Sequence, residues 1–294
     1  MAAIIPQQAP APAARSRGYW ATVRRRLARD PLTLVCAALL LALILAAVLA
    51  PWVAPGDPYR SSMLNRLKPV GTEGYPLGSD ELGRDMLSRL IWGGRMSLIM
   101  GVVPVLNALL IGGLLGLIAG YARGRVNTVI MRTVDVFYAF PSVLLAIAIS
   151  GALGAGLTNS LVSLTAVFIP PIVRVTESVT AQVRACDYVE AARATGARGL
   201  TVLRAHVLPN VLAPVLVYAT GLISVSIILA SGLSFLGLGV VPPEPEWGLM
   251  LSTLRQSIYM APLVAALPGA MIFLTSMCFN LMSDGLRAAM DVRA

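Results

Sequence analysis

The chain has 294 residues, of which 57% are hydrophobic and 13% charged, and its mean hydropathy is +0.77. A soluble domain carries about 25% charged residues, so a water-soluble globule is excluded and lipid must solvate part of the chain. The 23 basic residues exceed the 14 acidic ones, Lys68 is the one lysine and His206 the one histidine. Lys68 is followed by Pro69, which excludes a G-x-x-x-x-G-K-[ST] phosphate loop, and a lone histidine excludes H-E-x-x-H and clustered His metal sites. Any ATP the protein depends on must be hydrolysed by another subunit.

Residues 1–30 read as a basic arm, disordered where residues 1–14 are rich in Ala and Pro. A spanning helix needs roughly 20 apolar residues. Residues 31–56 carry no charge and hold the first span, 31–55. That run is too long for the apolar core of a signal peptide. Residues 56–93 form a polar, amphipathic outer segment, with a helix expected to start at Ser79-Asp80-Glu81 and an Asp85–Arg89 pair one turn apart. Residues 96–122 make the second span. The uncharged stretch 136–173 is too long for one helix, and Gly151, Gly154 and Gly156 suggest a hairpin inside it. Helix three would start near Asn127 and helix four end near Val179. The stretch 207–243 reads as one helix from about Val211 to Leu238, ended by Pro242 and Pro243, and a sixth span begins near Leu263. The expectation is an all-α integral membrane protein: six spans, a five-helix core over 94–288 and a short tail, 289–294.

Arginine placement sets the orientation. With both termini in the cytoplasm, 16 of the 23 basic residues fall on that side. The basic excess is thus membrane topology, and no soluble basic face for nucleic acid is expected.

The longest cytoplasmic interruption lies within 185–209. Asp187 suits a helix start, Glu190-Ala191-Ala192-Arg193-Ala194 are good helix formers, and Gly196 and Gly199 stop the helix. Thr201 can cap a second short helix ending before Pro209. The alanine-rich first helix suits docking into a groove.

Glu190-Ala191-Ala192, Gly196 and Val207-Leu208-Pro209 resemble the EAA loop of the membrane subunits of ATP-binding-cassette importers. Five further stretches resemble the peptide and nickel branch of that group: PLGSDELGRDMLSRLIWGGRMSL (76–98), GLIAGYARG (116–124), MRTVDVFYAFPSVLLA (131–146), LSFLGLGVVPPEPEWGLML (233–251) and FNLMSDGLRAAMD (279–291). The resemblance implies the type I importer (MetI-like) permease fold and import of di- or oligopeptides, with nickel, glutathione or another small solute as the alternative. It implies a second, homologous permease, an extracytoplasmic solute-binding protein, and two ATP-binding subunits that hold ATP and Mg, leaving this chain without a cofactor or a catalytic residue. It further implies that Asp187, Tyr188, Glu190, Ala191, Ala192, Gly196, Ala197, Leu208 and Pro209 form the coupling contact with an ATP-binding subunit, in the inner or plasma membrane.

Asp80, Arg84 and Asp85 read as an interfacial helix, or as a docking surface for the solute-binding protein. Trp247-Gly248 read as an interfacial anchor that could serve that docking or line a gate. Arg132 and Asp135, three apart at membrane depth, read as a buried pair fixing the contact between permeases, with direct substrate binding as the minority reading. Pro141 and Pro170-Pro171 read as kinks and hinge points. A secondary transporter would favour a midspan acid and an internal repeat, and a membrane enzyme a nucleophile–base pair. Neither pattern is evident.

Overall fold

The computed structural model describes residues 19–290, and their regular elements are all helical. The Ala/Pro-rich residues 1–14 and most of the expected tail, 291–294, lie outside the described residues. The basic arm is not wholly irregular: α1 spans Tyr19–Leu27, with Arg24, Arg25 and Arg26 in its last turn, where cations complement the helix dipole. Asp30 caps α2 (Pro31–Val48) by accepting from Leu32 N at 3.2 Å, and Pro31 sits where its missing N–H is harmless. A break at Leu49 leads into the short α3 (Ala50–Val53).

Helix α4 (Met86–Ala122) is 37 residues long, about 55 Å at ~1.5 Å per residue. It starts ten residues before the uncharged stretch, because its first turns pack against protein, where Arg89 is buried with partners. At its other end Gly112, Gly116 and Gly120 form a stripe against α7 (Leu157–Arg184). A Cβ on Gly116 would lie 2.6 Å from the Val173 carbonyl, and one on Gly120 2.7 Å from that of Glu177. Small residues four apart let two membrane helices meet backbone to backbone.

Between α4 and α7 the chain turns at Arg123 and Gly124, both with positive φ, into α5 (Gly124–Tyr138). Helix three is therefore not one rod: α5 and α6 (Ser142–Leu153) meet at 87°. Pro141 is the N-cap of α6, and a proline disfavours α geometry in the residue before it. The expected hairpin lies at Gly154 (φ 88°) and Gly156 (φ 141°), whereas Gly151 sits inside α6.

Beyond α7 come α8 (Asp187–Ala194), α9 (Gly199–Val202), a π-helical turn (Leu203–Val207) and α10 (Leu208–Phe235). Pro242 and Pro243 do not end α10. Gly237 (φ 80°) does, with Leu238 N donating to Leu233 O at 2.9 Å and Gly237 N to Ser234 O at 3.0 Å, a left-handed cap that satisfies the last carbonyls. The short α11 (Trp247–Leu254) precedes α12 (Pro262–Met290).

Among the described residues five helices are long and apolar enough to cross a membrane, and the bent α5–α6 pair brings the number to six if its halves form one broken span. The main core lies among α4, α7 and α10, around Met100, Leu164, Phe168, Ile172 and Leu233. Helices α2 and α12 close on α10 through Leu40, Ile227, Cys278 and Phe279. One end of the bundle carries α8. The other carries the 54–85 loop and α11.

Candidate functional site

Helix α8 is too short to be stable alone, so its order comes from its ends and its contacts. Cys186, in extended geometry, is its N-cap, and Asp187 is its first residue rather than a side-chain cap. Asp187 and Glu190 lie in the first turn and Arg193 in the last, each with the sign the helix dipole favours. At the C-terminus Gly196 takes φ 82°, its N–H donates to Arg193 O at 3.0 Å, and Ala197 N donates to Ala192 O at 3.3 Å. That double bond requires a left-handed residue, and glycine supplies it without strain.

One side chain of α8 is fully buried. Val189 packs with Val202, Val207, Val211 and Val215, and Ala192 and Ala197 lie against the same cluster. Asp187, Tyr188, Glu190, Ala191 and Gly196 are exposed. A face that mixes two acids and a tyrosine with Ala191 and Gly196 thus points away from the bundle while one valine pins the helix to it.

A second anchor was not foreseen from sequence. Tyr121, at the end of α4, donates its hydroxyl to Gly199 O at 2.8 Å. The Arg184 and Arg193 guanidinium carbons lie 5.6 Å and 5.3 Å from its ring centroid, and Arg184 also donates to the Tyr121 carbonyl. Cation–π contacts of this kind are worth about 0.5–1 kcal/mol each at exposed sites. One aromatic ring therefore joins the ends of α4 and α7 to α8 and α9. The GYARG run contains it, but nothing in its spacing signals partners more than sixty residues away.

The chain does not stop before Pro209. Leu208 N donates to Leu203 O, five residues back, and Pro209 follows in the first turn of α10. The widened turn absorbs the proline, which has no N–H to give. Leu208 is half-buried and Pro209 exposed, and Asn210 Nδ2 donates to His206 O at 2.7 Å. Residues 199–235 are consequently one continuous helical rod, and α8 sits between two long helices.

At the opposite end the expected helix at Ser79 is absent. Residues 79–85 form a loop that crosses itself, with Asp80 N bonded to Arg84 O at 3.1 Å, and Asp85 caps α4 by accepting from Ser88 N at 2.8 Å and Ser88 Oγ at 2.6 Å. Asp85 does not pair with Arg89. Asp80 does: its Oδ2 lies 2.6 Å from Arg84 Nε and 3.3 Å from Arg89 Nε. Arg89 also donates to Pro58 O at 3.0 Å. Asp80, Arg84 and Arg89 are all buried, so their side chains lock the loop to α4 and are withdrawn from any docking protein.

Trp247 is not an interfacial anchor. It is 1% exposed, its Nε1 donates to Leu90 O at 2.9 Å, and its ring lies against Gly93 and Gly94. Gly248 is buried too, with room for no Cβ beside the Ser231 backbone. Glu246, unnoticed in the sequence, caps α11: it accepts from Gly248 N (2.9 Å), Leu249 N (2.8 Å) and Ser97 Oγ (3.0 Å). Burial pushes its carboxyl above the usual range, and these donors offset only part of that rise.

Arg132 and Asp135 do not form a buried pair. Their closest approach is 3.7 Å, and the Arg132 side chain is 80% exposed. Asp135 bonds Arg174 of α7 instead, at 2.6 Å, and Arg174 stacks on Tyr138 at 4.4 Å. The stronger partner lies on another helix, 39 residues away.

The family model "Binding-protein-dependent transport system inner membrane component" matches residues 112–294, and "N-terminal TM domain of oligopeptide transport permease C" matches 18–69. The chain is 46% identical over 259 residues to the di/tripeptide transport system permease protein DppC of Pseudomonas aeruginosa, covering 86% of this chain and 85% of that one. It is 40% identical over 275 residues to the glutathione transport system permease protein GsiD of Pectobacterium atrosepticum, covering 94% and 91%. An inward-facing structure of the MetNI methionine ABC transporter superposes with a TM-score of 0.58 at 20% identity, over 69% of this chain and 97% of that one, which establishes a shared fold. The chain belongs to the binding-protein-dependent transport system inner membrane components and is a membrane permease subunit of an ABC importer.

Proposed function

We propose that this permease carries short peptides across the inner membrane, paired with a second, homologous permease. Two ATP-binding subunits hold the ATP and Mg, an extracytoplasmic solute-binding protein delivers the cargo, and lipid surrounds the spans. The observation that carries the coupling role is α8: an exposed, capped helix pinned by Val189 and braced through Tyr121 to α4, α7 and α9. In this reading the α8 end is cytoplasmic, both termini lie on that side, and Asp187, Tyr188, Glu190, Ala191, Ala192, Gly196, Ala197, Leu208 and Pro209 line or support the contact with one ATP-binding subunit. Closure of the nucleotide-bound dimer pushes α8, and the rods on either side transmit the push because packed helices move as bodies. Solute-binding protein meets the outer loop that Asp80, Arg84 and Asp85 hold in shape.

The 46%-identical relative named for di- and tripeptides favours peptide cargo. Glutathione is the second reading, favoured by the relative at 40%; it is itself a tripeptide. The test is uptake by proteoliposomes holding the complete importer. Uptake of labelled dipeptide should stop on ATP depletion and survive collapse of the ion gradient. Uptake that follows the gradient, or that persists in the isolated chain, refutes the proposal.

A further inference from the structure

Three charged side chains, Arg132, Asp135 and Arg174, stand together and partly exposed on α5 and α7. Helix α7, 28 residues and about 42 Å long at ~1.5 Å per residue, exceeds a hydrocarbon core about 30 Å thick; with the helix centred on that core, Arg174, ten residues from the α8-side end, lies about 9 Å inside its boundary. Its side chain is 48% exposed, that of Asp135 41% and that of Arg132 80%. Two arginines and one aspartate leave a net charge of +1. Charged groups at this depth are strongly disfavoured against lipid and face protein or water.

The neighbouring backbone points the same way. Residues 139–141 interrupt the third span at the 87° elbow, and α6 begins without a side-chain cap. Irregular backbone at membrane depth is tolerated only where it is buried in protein or lines a water-filled cavity. Beside the elbow lies a cavity of about 200 Å³, lined by Phe137, Tyr138, Phe140, Pro170, Pro171 and Leu222 among others. Tyr138 belongs to both features: the residue lines the cavity, and its ring lies under the Arg174 guanidinium.

We infer that the elbow and this cluster form a wall of the substrate path, and that Arg174, assisted by Arg132, binds the terminal carboxylate of a peptide in transit while the aromatic cavity receives an apolar side chain. A guanidinium has five N–H donors, and the bond to Asp135 engages Arg174 through Nη2. The neighbouring acid offsets part of the attraction, which suits a site that must release its cargo. This rests on the peptide reading above.

The test uses the complete importer in proteoliposomes, saturated with binding protein, and two probes: trialanine and trialanine amide, which lacks the terminal carboxylate. A hydrogen bond to a charged group corresponds to about tenfold or more in affinity. Arg174→Gln should therefore lower trialanine uptake at least about tenfold more than it lowers uptake of the amide. Arg174→Lys should recover a substantial part of the loss. Asp135→Asn, which frees Arg174, should lower KM for trialanine by about threefold or more and leave KM for the amide behind. Equal losses for both probes would assign Arg174 to a contact with the partner permease or to folding and overturn the inference, as would no loss, or a KM for trialanine that rises in Asp135→Asn. These outcomes leave the peptide reading standing. A wild-type complex that carries neither trialanine nor glutathione refutes that reading and this one together.

Discussion

The bracing of α8 makes a quantitative prediction about Val189. Truncation to alanine removes two buried methyl groups from a side chain that is 0% exposed. At about 0.8 kcal/mol per buried carbon, plus a cavity contribution, the loss is about 2 kcal/mol. It falls almost wholly on the docked state of α8, because α8 contributes no other fully buried side chain. Since ~1.4 kcal/mol is tenfold in an equilibrium constant, the undocked fraction should rise about thirtyfold. Amide hydrogen exchange over 187–199 in the assembled importer reads this directly, as local opening sets the exchange rate. Solute moved per ATP hydrolysed reads its consequence, and should fall, because a loosened helix absorbs the push it should transmit. Ala194→Ser, at an exposed position of the same helix outside the contact, is the control for exchange and should leave it unchanged. Exchange in Val189→Ala within threefold of wild type would refute the anchoring argument. Faster exchange with an undiminished transport ratio would refute the mechanical role of α8.

Glu190→Arg reverses an acid in the first turn of α8, and Gly196→Val forces a branched side chain to φ 82°, at a cost of about 1–2 kcal/mol. Both should leave membrane insertion intact and reduce substrate-stimulated ATP hydrolysis by the assembled complex, and normal stimulation in either would count against the coupling contact. Trp247→Ala should cost about 3–5 kcal/mol and leave the Leu90 carbonyl without its donor, read as a drop in thermal stability in detergent. An interfacial anchor would lose far less. Gly116→Ala places a Cβ 2.6 Å from the Val173 carbonyl and should cost about 1–3 kcal/mol through overpacking, with reduced yield of folded protein. A fully stable variant would show that α4 and α7 are not held backbone to backbone.

The resemblance to a permease was readable because it lies in contiguous runs. The EAA stretch, the MRTVDVFYAFP run and the LSFLGLG run each keep their residues side by side in the chain. The partners of single residues were harder. Asp135 has an arginine three positions back and another 39 positions on, and only the packing of α5 on α7 makes the distant one the closer at 2.6 Å. Trp247 follows a polar turn and looks interfacial, until α4 presents two glycines beneath its ring.

What the sequence by itself determined is what depends on local chemistry and on partition into lipid: the uncharged spans, the glycine turn at 154–156, and the start and stop of α8. Each follows from side chains acting on their own backbone or on the solvent. The tertiary structure alone decided which charges are buried, where α4 begins, that the third span is broken at 87°, and that Tyr121 braces α8. Those outcomes depend on groups brought together from distant parts of the chain, and the price of burying a charge is set by the neighbour that arrives to meet it.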